Sequence, residues 1–326
     1  MNESTAKTPG AWRAVLFLFV IATVIPEVLI GSTPLSRLNQ LVLQFPLYGS
    51  AALVVRELVV RFRLGRAGLL ALGLAFGITI EGLALQSLFN PHFLNFDITF
   101  GRAAEVNWPW ALYMVGYHAL WSITVPITLT ELVFPSRAVQ SWLGKFGTGA
   151  FLVLLALMII AFHAIFVKMS GFSAPITLYV GALLAITLLV VLGLQLKHRE
   201  RAPLAPAPSL YLPGILSFLF GLAWLGLYGV IFHHPYVMSA GVNLAAGLVL
   251  GAVFFAWNDR NARTAWSRLH WLSFVTGALA ANTLFGFVVL SGSRLDTGGQ
   301  MGVAVIVAAG LIALARKLNA PPLVRP

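Results

Sequence analysis

The chain has 326 residues, of which 59% are hydrophobic and 10% are charged, and its formal net charge is +11. Soluble domains carry about 25% charged residues, so this composition excludes a soluble globular protein and predicts an all-α polytopic membrane protein. Basic residues flank the spans of membrane proteins, so the positive charge does not indicate nucleic-acid binding. We expect membrane lipid as the partner. The absence of cysteine excludes disulfides and Cys-ligated metal sites.

Ten apolar segments are long enough to cross a bilayer core, which requires about 20 residues per helix. In chain order these spans 1 to 10 lie near 11–31, 40–61, 67–89, 109–134, 148–168, 174–196, 211–232, 236–257, 269–290 and 300–317. The first span lacks an A-x-A-like cleavage site before Gly31, so we expect a retained helix and not a cleaved signal peptide.

The Lys and Arg residues alternate between the ends of these spans. Sixteen of the 21 lie at one set of ends, four lie at the opposite set, and Arg56 lies inside span 2. Because cytoplasmic loops are enriched in Lys and Arg, this bias predicts that both termini are cytoplasmic. We expect the protein in the plasma (inner) membrane of a prokaryote.

A basic, proline-rich cytoplasmic linker at 197–210 divides the chain into two halves. The front half, 1–196, contains spans 1 to 6 and buries acids and bases in spans 1 to 5. The back half, 211–326, contains spans 7 to 10. Its interior polar groups are amides and threonines, and it has the small-xxx-small pair Gly247–Gly251, which lets helices approach closely. We therefore predict that the front half carries function and the back half is a packing scaffold.

Charged side chains near the cytoplasmic ends of spans 2 and 4 form a first buried group. Arg56 and Glu57 lie in span 2, and Glu131 lies in span 4. A charge near the bilayer centre costs on the order of 3 kcal/mol, so such residues face a partner or a wet cavity. For this group we predict ion pairing or snorkelling at the interface.

Four titratable residues form a second group at one depth. Glu27, Glu81, His118 and His163 lie on spans 1, 3, 4 and 5. With a rise of 1.5 Å per residue, they share a layer about 6–14 Å below the outer surface. Glutamate and histidine at one depth suit general acid–base catalysis, metal binding or proton relay. We predict Glu81, His118 and His163 as catalytic residues, with binding residues at Glu27, Gln86, Asn90, His92, Tyr117 and Trp121.

Each titratable residue also has a structural alternative. Glu81 is then a neutral or hydrogen-bonded packing residue, His118 is satisfied by a backbone carbonyl or a tyrosine, and His163 is a lone polar residue among apolar ones. Glu27 follows Pro26, whose missing N–H kinks the helix and frees a carbonyl, so its alternative is a structural role at that kink. The pair His233-His234 lies at an outer turn, where it either belongs only to the turn or caps the same layer.

The order of these residues resembles a known family. Glu81, then His118 after 37 residues, then His163 after 45, each on a successive span, resembles the membrane proteases that process CAAX prenyl proteins and bacteriocins, the abortive-infection-like family. That family shows EExxxR, FxxxH and HxxxN or HxxxD on separate helices. The chain departs from this pattern at Ile80, Leu85, Met114 and Val167. The resemblance implies that Glu81 activates water and that His118 and His163 bind a divalent metal or stabilise an oxyanion.

Three functions are compatible with this sequence. The first is a membrane-embedded hydrolase, which predicts that Glu81, His118 and His163 converge within hydrogen-bond reach of one site. The second is a proton-coupled small-solute transporter, which a two-sided pathway lined by Glu81 and Glu57 would indicate. The third is a non-catalytic membrane component of a complex, docked through the basic loops. The corresponding substrates are a peptide, a lipid or a small solute.

Overall fold

A computed structural model describes residues 11–93, 98–198, 206–232, 236–261, 266–290 and 292–320. These residues form ten helices that are long and apolar enough to cross a membrane, which confirms the predicted all-α polytopic fold. The helices are α1 Ala11–Leu29, α2 Leu35–Arg61, α3 Arg66–Ala84, α4 Trp108–Val133, α5 Lys145–Ser170, α6 Ile176–Gln195, α7 Leu212–Phe232, α8 Ala240–Asn261, α9 Arg268–Val288 and α10 Arg294–Asn319. Between α3 and α4, the strands β1 Arg102–Ala103 and β2 Val106–Asn107 pair antiparallel.

Two helix ends differ from the predicted spans for local reasons. Helix α3 ends at Ala84 and not near 89, because Gln86 has a φ of 59° in the left-handed region, which a helix cannot continue through. Helix α10 begins at Arg294 and not near 300, because Ser293 caps it by accepting a hydrogen bond from the Asp296 N–H. Glu81 therefore lies one turn from the end of its helix.

The loops at one end of the bundle are joined to one another. The Gly65 N–H donates to the Leu196 carbonyl at 2.8 Å, which ties the α2–α3 connection to the end of α6. Arg61 donates to Thr148 Oγ1 at 2.8 Å, which ties α2 to the start of α5. Arg63, Arg66, Lys145 and Lys197 lie at or next to these connections, and we call this end of the bundle the Arg-rich face.

Described connections at the opposite end of the bundle are also joined to one another. Ser36 N–H donates to Asp296 Oδ1 at 2.9 Å, which joins the start of α2 to α10. Gln86 Oε1 accepts from the Ala174 N–H at 2.9 Å, which joins the end of α3 to the α5–α6 connection. We call this end the opposite face. The two sets of loops that the Lys and Arg pattern distinguishes are thus separated in space.

Glycines allow two pairs of helices to touch through their backbones. In the α3–α4 contact, a Cβ added to Gly77 would lie 2.8 Å from the Val115 Cα. In the α7–α9 contact, a Cβ added to Gly277 would lie 2.0 Å from the Gly214 carbonyl oxygen. Such close approach by small residues is a common basis of helix association in membranes, where apolar burial gives no drive between helices. The first of these contacts fixes α3 against α4, and these two helices carry the candidate site.

Back-half helices pack directly on α4. Trp224 Nε1 on α7 donates to the Tyr113 carbonyl at 3.1 Å, and Trp121 Nε1 on α4 donates to the Ala278 carbonyl of α9 at 2.9 Å. By contrast, none of the residues of α5 is buried, so this helix lies at the periphery of the bundle. Residues 199–205 of the linker and the pair His233-His234 lie outside the described residues.

Candidate functional site

Three titratable residues of the predicted layer lie in π-helical turns. Within the described ranges, π turns occur at Val24–Leu29, Thr79–Ala84, His118–Thr124 and Gly286–Leu290. Glu27, Glu81 and His118 belong to the first three. A π turn replaces i→i+4 hydrogen bonds with i→i+5 bonds, is rare, and is found frequently at functional sites. The turns bring together side chains and carbonyl groups that uninterrupted α-helices would keep apart.

The Glu81 and His118 side chains form a buried pair. His118 Nε2 lies 2.7 Å from Glu81 Oε1, and the two side chains are 2% and 1% exposed. His118 Nδ1 lies 2.9 Å from Ser122 Oγ, one helical turn further along α4. The Ser87 hydroxyl donates to Glu81 Oε2 and accepts from Trp110 Nε1 at 2.9 Å. Both oxygens of the carboxylate and both nitrogens of the imidazole are therefore engaged.

Aromatic rings enclose the imidazole of His118. The Tyr48 ring stacks on it with 5.9 Å between centroids, and Phe76 and Tyr117 meet it edge-on at 5.9 and 5.6 Å. The predicted binding residue Trp121 stacks on Tyr117 at 5.2 Å. Such walls exclude water, and electrostatic interactions are stronger in the resulting low-dielectric surroundings.

Glu27 lies beside this pair, half-buried, at the end of α1. Its Oε1 accepts from the Tyr48 hydroxyl at 2.7 Å, so Tyr48 contacts both Glu27 and the His118 ring. The predicted distortion at Pro26 is present as a π turn. The carbonyls near it are satisfied by other helices, since Tyr117 donates to the Pro26 carbonyl at 3.2 Å and Asn282 donates to that of Ile25 at 3.1 Å.

His163 does not join the pair. Its Nδ1 donates to the Leu83 carbonyl at 2.9 Å, and its ring packs edge-on against Tyr179 at 5.6 Å. Leu83 lies in the π turn of α3, where the altered hydrogen bonding leaves a carbonyl for a side chain to satisfy. A backbone carbonyl therefore satisfies the ring of His163.

Replacing His163 with leucine is expected to lower the free energy of unfolding by about 1–3 kcal/mol, because the Leu83 carbonyl loses its donor in an apolar setting. His163→Gln is the matched control, since its amide can still donate to that carbonyl. Thermal unfolding of the purified variants in detergent measures the effect. If both variants unfold as the wild type does, the contact does not stabilise the π turn.

The other predicted binding residues hold the loops at the opposite face. Gln86 Oε1 accepts from the Tyr179 hydroxyl at 2.6 Å. Asn90 Oδ1 accepts from the backbone N–H of His92 at 2.9 Å. Asn107 Nδ2 donates to the carbonyls of Ser87 and Asn90, at 3.0 Å each. The segment after α3 is thus folded over the Glu81–His118 pair.

Several residues of the site were not predicted from the sequence. Ser122 could have been predicted, because it follows His118 by four residues and residues at that spacing share a helix face. No such signal in the sequence indicates the others, since Ser87 contacts Glu81 from the loop after α3, Tyr48 contacts His118 from α2, and Trp110 contacts Ser87. As for metal ligands, no group of three or more His, Cys, Asp or Glu side chains that could hold a metal occurs among the described residues.

The charged group at the Arg-rich face forms the predicted ion pair. Arg56 Nη1 lies 3.1 Å from Glu57 Oε1, and both side chains are fully buried instead of reaching the interface. The guanidinium lies 3.6 Å from the centroid of the Trp142 ring and donates to carbonyls of the α4–α5 connection. Glu57 also accepts from the Trp142 N–H at 2.8 Å. This cluster closes the Arg-rich end of the bundle.

Comparison with known proteins gives one match. The model of an uncharacterized membrane protein family matches residues 16–320, from within α1 to beyond the end of α10. No curated protein and no solved structure matches the chain. None of these comparisons connects it to the CAAX-processing proteases.

Proposed function

The chain belongs to this uncharacterized membrane protein family, and from that premise we propose that it is a membrane-embedded hydrolase whose general base is His118. The observation that carries the proposal is the series Ser122 Oγ, His118 and Glu81 Oε1, joined by contacts of 2.9 and 2.7 Å. A nucleophile next to a base that a third group orients is the arrangement expected for nucleophilic hydrolysis.

The proposed chemistry needs the tautomer of His118 that carries its proton on Nε2. Nε2–H donates to Glu81, which leaves Nδ1 free to accept the Ser122 proton. As Ser122 Oγ attacks an ester or amide carbonyl, the proton passes to Nδ1, and Glu81 stabilises the imidazolium that forms. Nδ1–H then protonates the leaving group, and water hydrolyses the acyl-serine in a second round of the same transfers. Glu81 is here the orienting carboxylate and not the residue that activates water.

An apolar cavity along α4 favours substrates with apolar chains. The cavity has a volume of about 830 Å³ and lies between α3, α4 and α6 on one side and α7 and α8 on the other. Leu120 and Trp121, which immediately precede Ser122, are among its lining residues. A volume of this size is in the range that holds small-molecule ligands, roughly 300–1,000 Å³.

The surroundings of Glu57 favour hydrolysis over transport. A proton-coupled pathway through the bundle would need Glu57 to face an open route from the Arg-rich face. In the structure, Glu57 instead accepts hydrogen bonds from the Trp142 N–H and the Ser141 hydroxyl and pairs with Arg56. We further propose that the Arg-rich face is cytoplasmic, since basic loops are retained there. This places the Glu81–His118 pair in the outer half of the membrane.

Covalent labelling tests this function without knowledge of the substrate. A fluorophosphonate probe is expected to modify Ser122 in the purified protein, and Ser122→Ala is expected to abolish the labelling. His118→Gln and Glu81→Gln are expected to slow it by about 100-fold or more, the usual contribution of general acid–base catalysis. Mass spectrometry of peptides identifies the modified residue.

Ser217→Ala is the matched control. Ser217 is another buried serine, and its hydroxyl donates to the Phe274 carbonyl at 2.8 Å and not to a histidine. Labelling is expected to be unchanged in this variant. A wild-type protein that does not react, or that reacts equally well with His118→Gln, would refute the proposed base and nucleophile.

A further inference from the structure

The apolar cavity along α4 extends through much of the membrane-spanning part of the bundle. Its lining residues on α4 run from Trp108, the first residue of the helix, to Trp121. At a rise of 1.5 Å per residue, this stretch is about 20 Å long. Each leaflet contributes about half of the hydrocarbon core, which is roughly 30 Å thick. The cavity, which we call the α4 groove, is therefore long enough to hold an acyl chain that enters from the opposite face.

The α4 groove is open on the side that faces the membrane. Its α8 wall includes Leu248 and Phe255, which are 61% and 44% exposed. On the α6 wall, a Cβ added to Gly181 would meet no described atom within 4 Å. A Cβ added to Gly251 of the small-xxx-small pair would meet its nearest atom, on Trp224, at 3.9 Å. These glycines therefore leave open apolar space, which hydrocarbon would fill in a bilayer.

A cationic side chain lies at the mouth of the α4 groove on the opposite face. Arg102 Nη1 donates to the Phe89 carbonyl at 2.7 Å and to Asn107 Oδ1 at 2.6 Å, and Phe89 lines the groove. No Asp or Glu of the described ranges forms an ion pair with Arg102, including Glu105, which is exposed at the turn of the same hairpin. Arginine has five N–H donors, so those on Nε and Nη2 can bind an anion.

The start of α4 adds positive charge at the same mouth. No side chain caps the helix at Asn107, whose Oδ1 accepts from Arg102 and whose Nδ2 donates to the Ser87 carbonyl. An α-helix N-terminus carries about half a positive charge and favours phosphate groups. Trp108, which lines the groove there, is 47% exposed, and tryptophan is enriched at the level of lipid headgroups. The mouth is thus suited to a phosphate, and the groove below it to an acyl chain.

We propose that the α4 groove binds one phospholipid from the leaflet at the opposite face. One acyl chain lies along α4, and the phosphate accepts two hydrogen bonds from the guanidinium of Arg102. The ester bonds of this lipid lie near the mouth, whereas Ser122 lies about 20 Å further along α4 from Trp108. The lipid is therefore bound without being cleaved, and the proposal does not depend on the hydrolase. An apolar substrate chain that enters the groove would compete with it.

Photo-crosslinking in detergent tests this site. The probe is phosphatidylglycerol with a diazirine in one acyl chain, and mass spectrometry of peptides identifies the labelled residues. Labelling of the groove-facing residues of α4 and α8 is expected to saturate at one lipid per chain and to be competed by unlabelled phosphatidylglycerol. Helix α5, which has no buried residue, is the internal control. Its labelling is expected to rise linearly with the probe and to resist competition.

Two variants test the two parts of the site. Gly181→Leu with Ala185→Leu is expected to abolish the saturable labelling, because both positions line the groove and the added side chains occupy the space of the acyl chain. Gly226→Leu with Gly229→Leu is the matched control on α7, where an added Cβ also meets no described atom within 4 Å, and it is expected to label as the wild type does. Arg102→Gln is expected to weaken the apparent affinity about tenfold, since hydrogen bonds to charged groups contribute that much.

The wild-type protein also separates the proposal from other occupants of the groove. Diacylglycerol with the same acyl chains lacks the phosphate and is expected to compete about tenfold less well. Equal competition by the two lipids would overturn the assignment of the phosphate to Arg102. Groove labelling that rises linearly, as that of α5 does, would show annular lipid only and overturn the proposal. A purified dimer whose groove residues stay unlabelled would assign the groove to a second copy of the chain.

Discussion

Replacing Arg56 with methionine is expected to lower the free energy of unfolding by about 3–5 kcal/mol, because it leaves a buried carboxylate without its cation. Glu57 is 0% exposed and is 3.1 Å from the guanidinium. The carbonyls of Arg137 and Ala138 lose donors at 2.9 and 2.8 Å in the same variant. Chemical denaturation of the purified protein in detergent measures the loss.

Arg61→Met is the matched control for this prediction. Arg61 Nε also approaches Glu57, at 3.4 Å, but the Arg61 side chain is 26% exposed. Solvent screening limits such partly exposed pairs to about 0–1 kcal/mol, so the effect on the pair should be much smaller. The double variant Arg56→Met with Glu57→Leu should recover part of the loss, because no buried charge is then left unpaired. Equal losses in the two single variants would show that burial does not govern this cluster.

Replacing Gly277 with alanine is expected to destabilise the protein by about 3 kcal/mol, or to prevent its folding, because the added methyl group overlaps backbone atoms of the neighbouring helix. The new Cβ would lie 2.0 Å from the Gly214 carbonyl oxygen and 2.3 Å from Ser217 Oγ. Helices α7 and α9 would have to move apart, and the Trp121 contact to Ala278 lies on the next residue of α9. Yield of monodisperse protein and thermal unfolding report the effect.

Gly226→Ala in α7 controls for the intrinsic effect of a glycine replacement. A Cβ at Gly226 meets no atom within 4 Å, so this variant should be neutral or slightly stabilised. A Gly277→Ala protein that unfolds like Gly226→Ala would show that the α7–α9 contact is loose.

The spans could be predicted from the sequence because the thickness of the bilayer imposes their length. Their ends could not be predicted as well, because single residues set them. The apolar run SLF after Gln86 continues the pattern of span 3, yet the left-handed backbone at Gln86 ends α3 before it. In the same way, the cap at Ser293 starts α10 earlier than its hydropathy indicates.

For the layer of titratable residues, the sequence predicted only the depth of each residue in the membrane. Counting residues along a helix gives depth, and Glu81 and His118 do meet at a common depth. It does not give the direction in which a side chain points. His163, predicted at the same depth, contacts the Leu83 carbonyl instead of the pair. The π turns were also not foreseen, because their sequences have the composition of the adjoining helices.

The division into a functional front half and a scaffolding back half remains a prediction. Asn282, a back-half residue, contacts residues of the front half next to the site. This α9 residue donates to the Ile25 carbonyl in the π turn of α1, and its Oδ1 lies 3.3 Å from the Tyr117 hydroxyl. A hydropathy pattern does not indicate which neighbouring helix a single buried amide contacts. Its position shows that the back half reaches into the layer that contains the site.

Because of the π turns, inserting or deleting one residue in a helix would disturb the site more than changing the hydrophobic composition of that helix. A π turn holds about one residue more than the α-helical turn it replaces. In α4 this extra residue lies between His118 and the part of the helix, Val125–Val133, that packs against α1 and α9. Because each residue turns an α-helix by about 100°, deleting one residue there would rotate His118 away from Glu81 while leaving the span as long and as apolar as a membrane requires. A one-codon deletion in α4 would therefore remove the site from a chain that still has all ten spans.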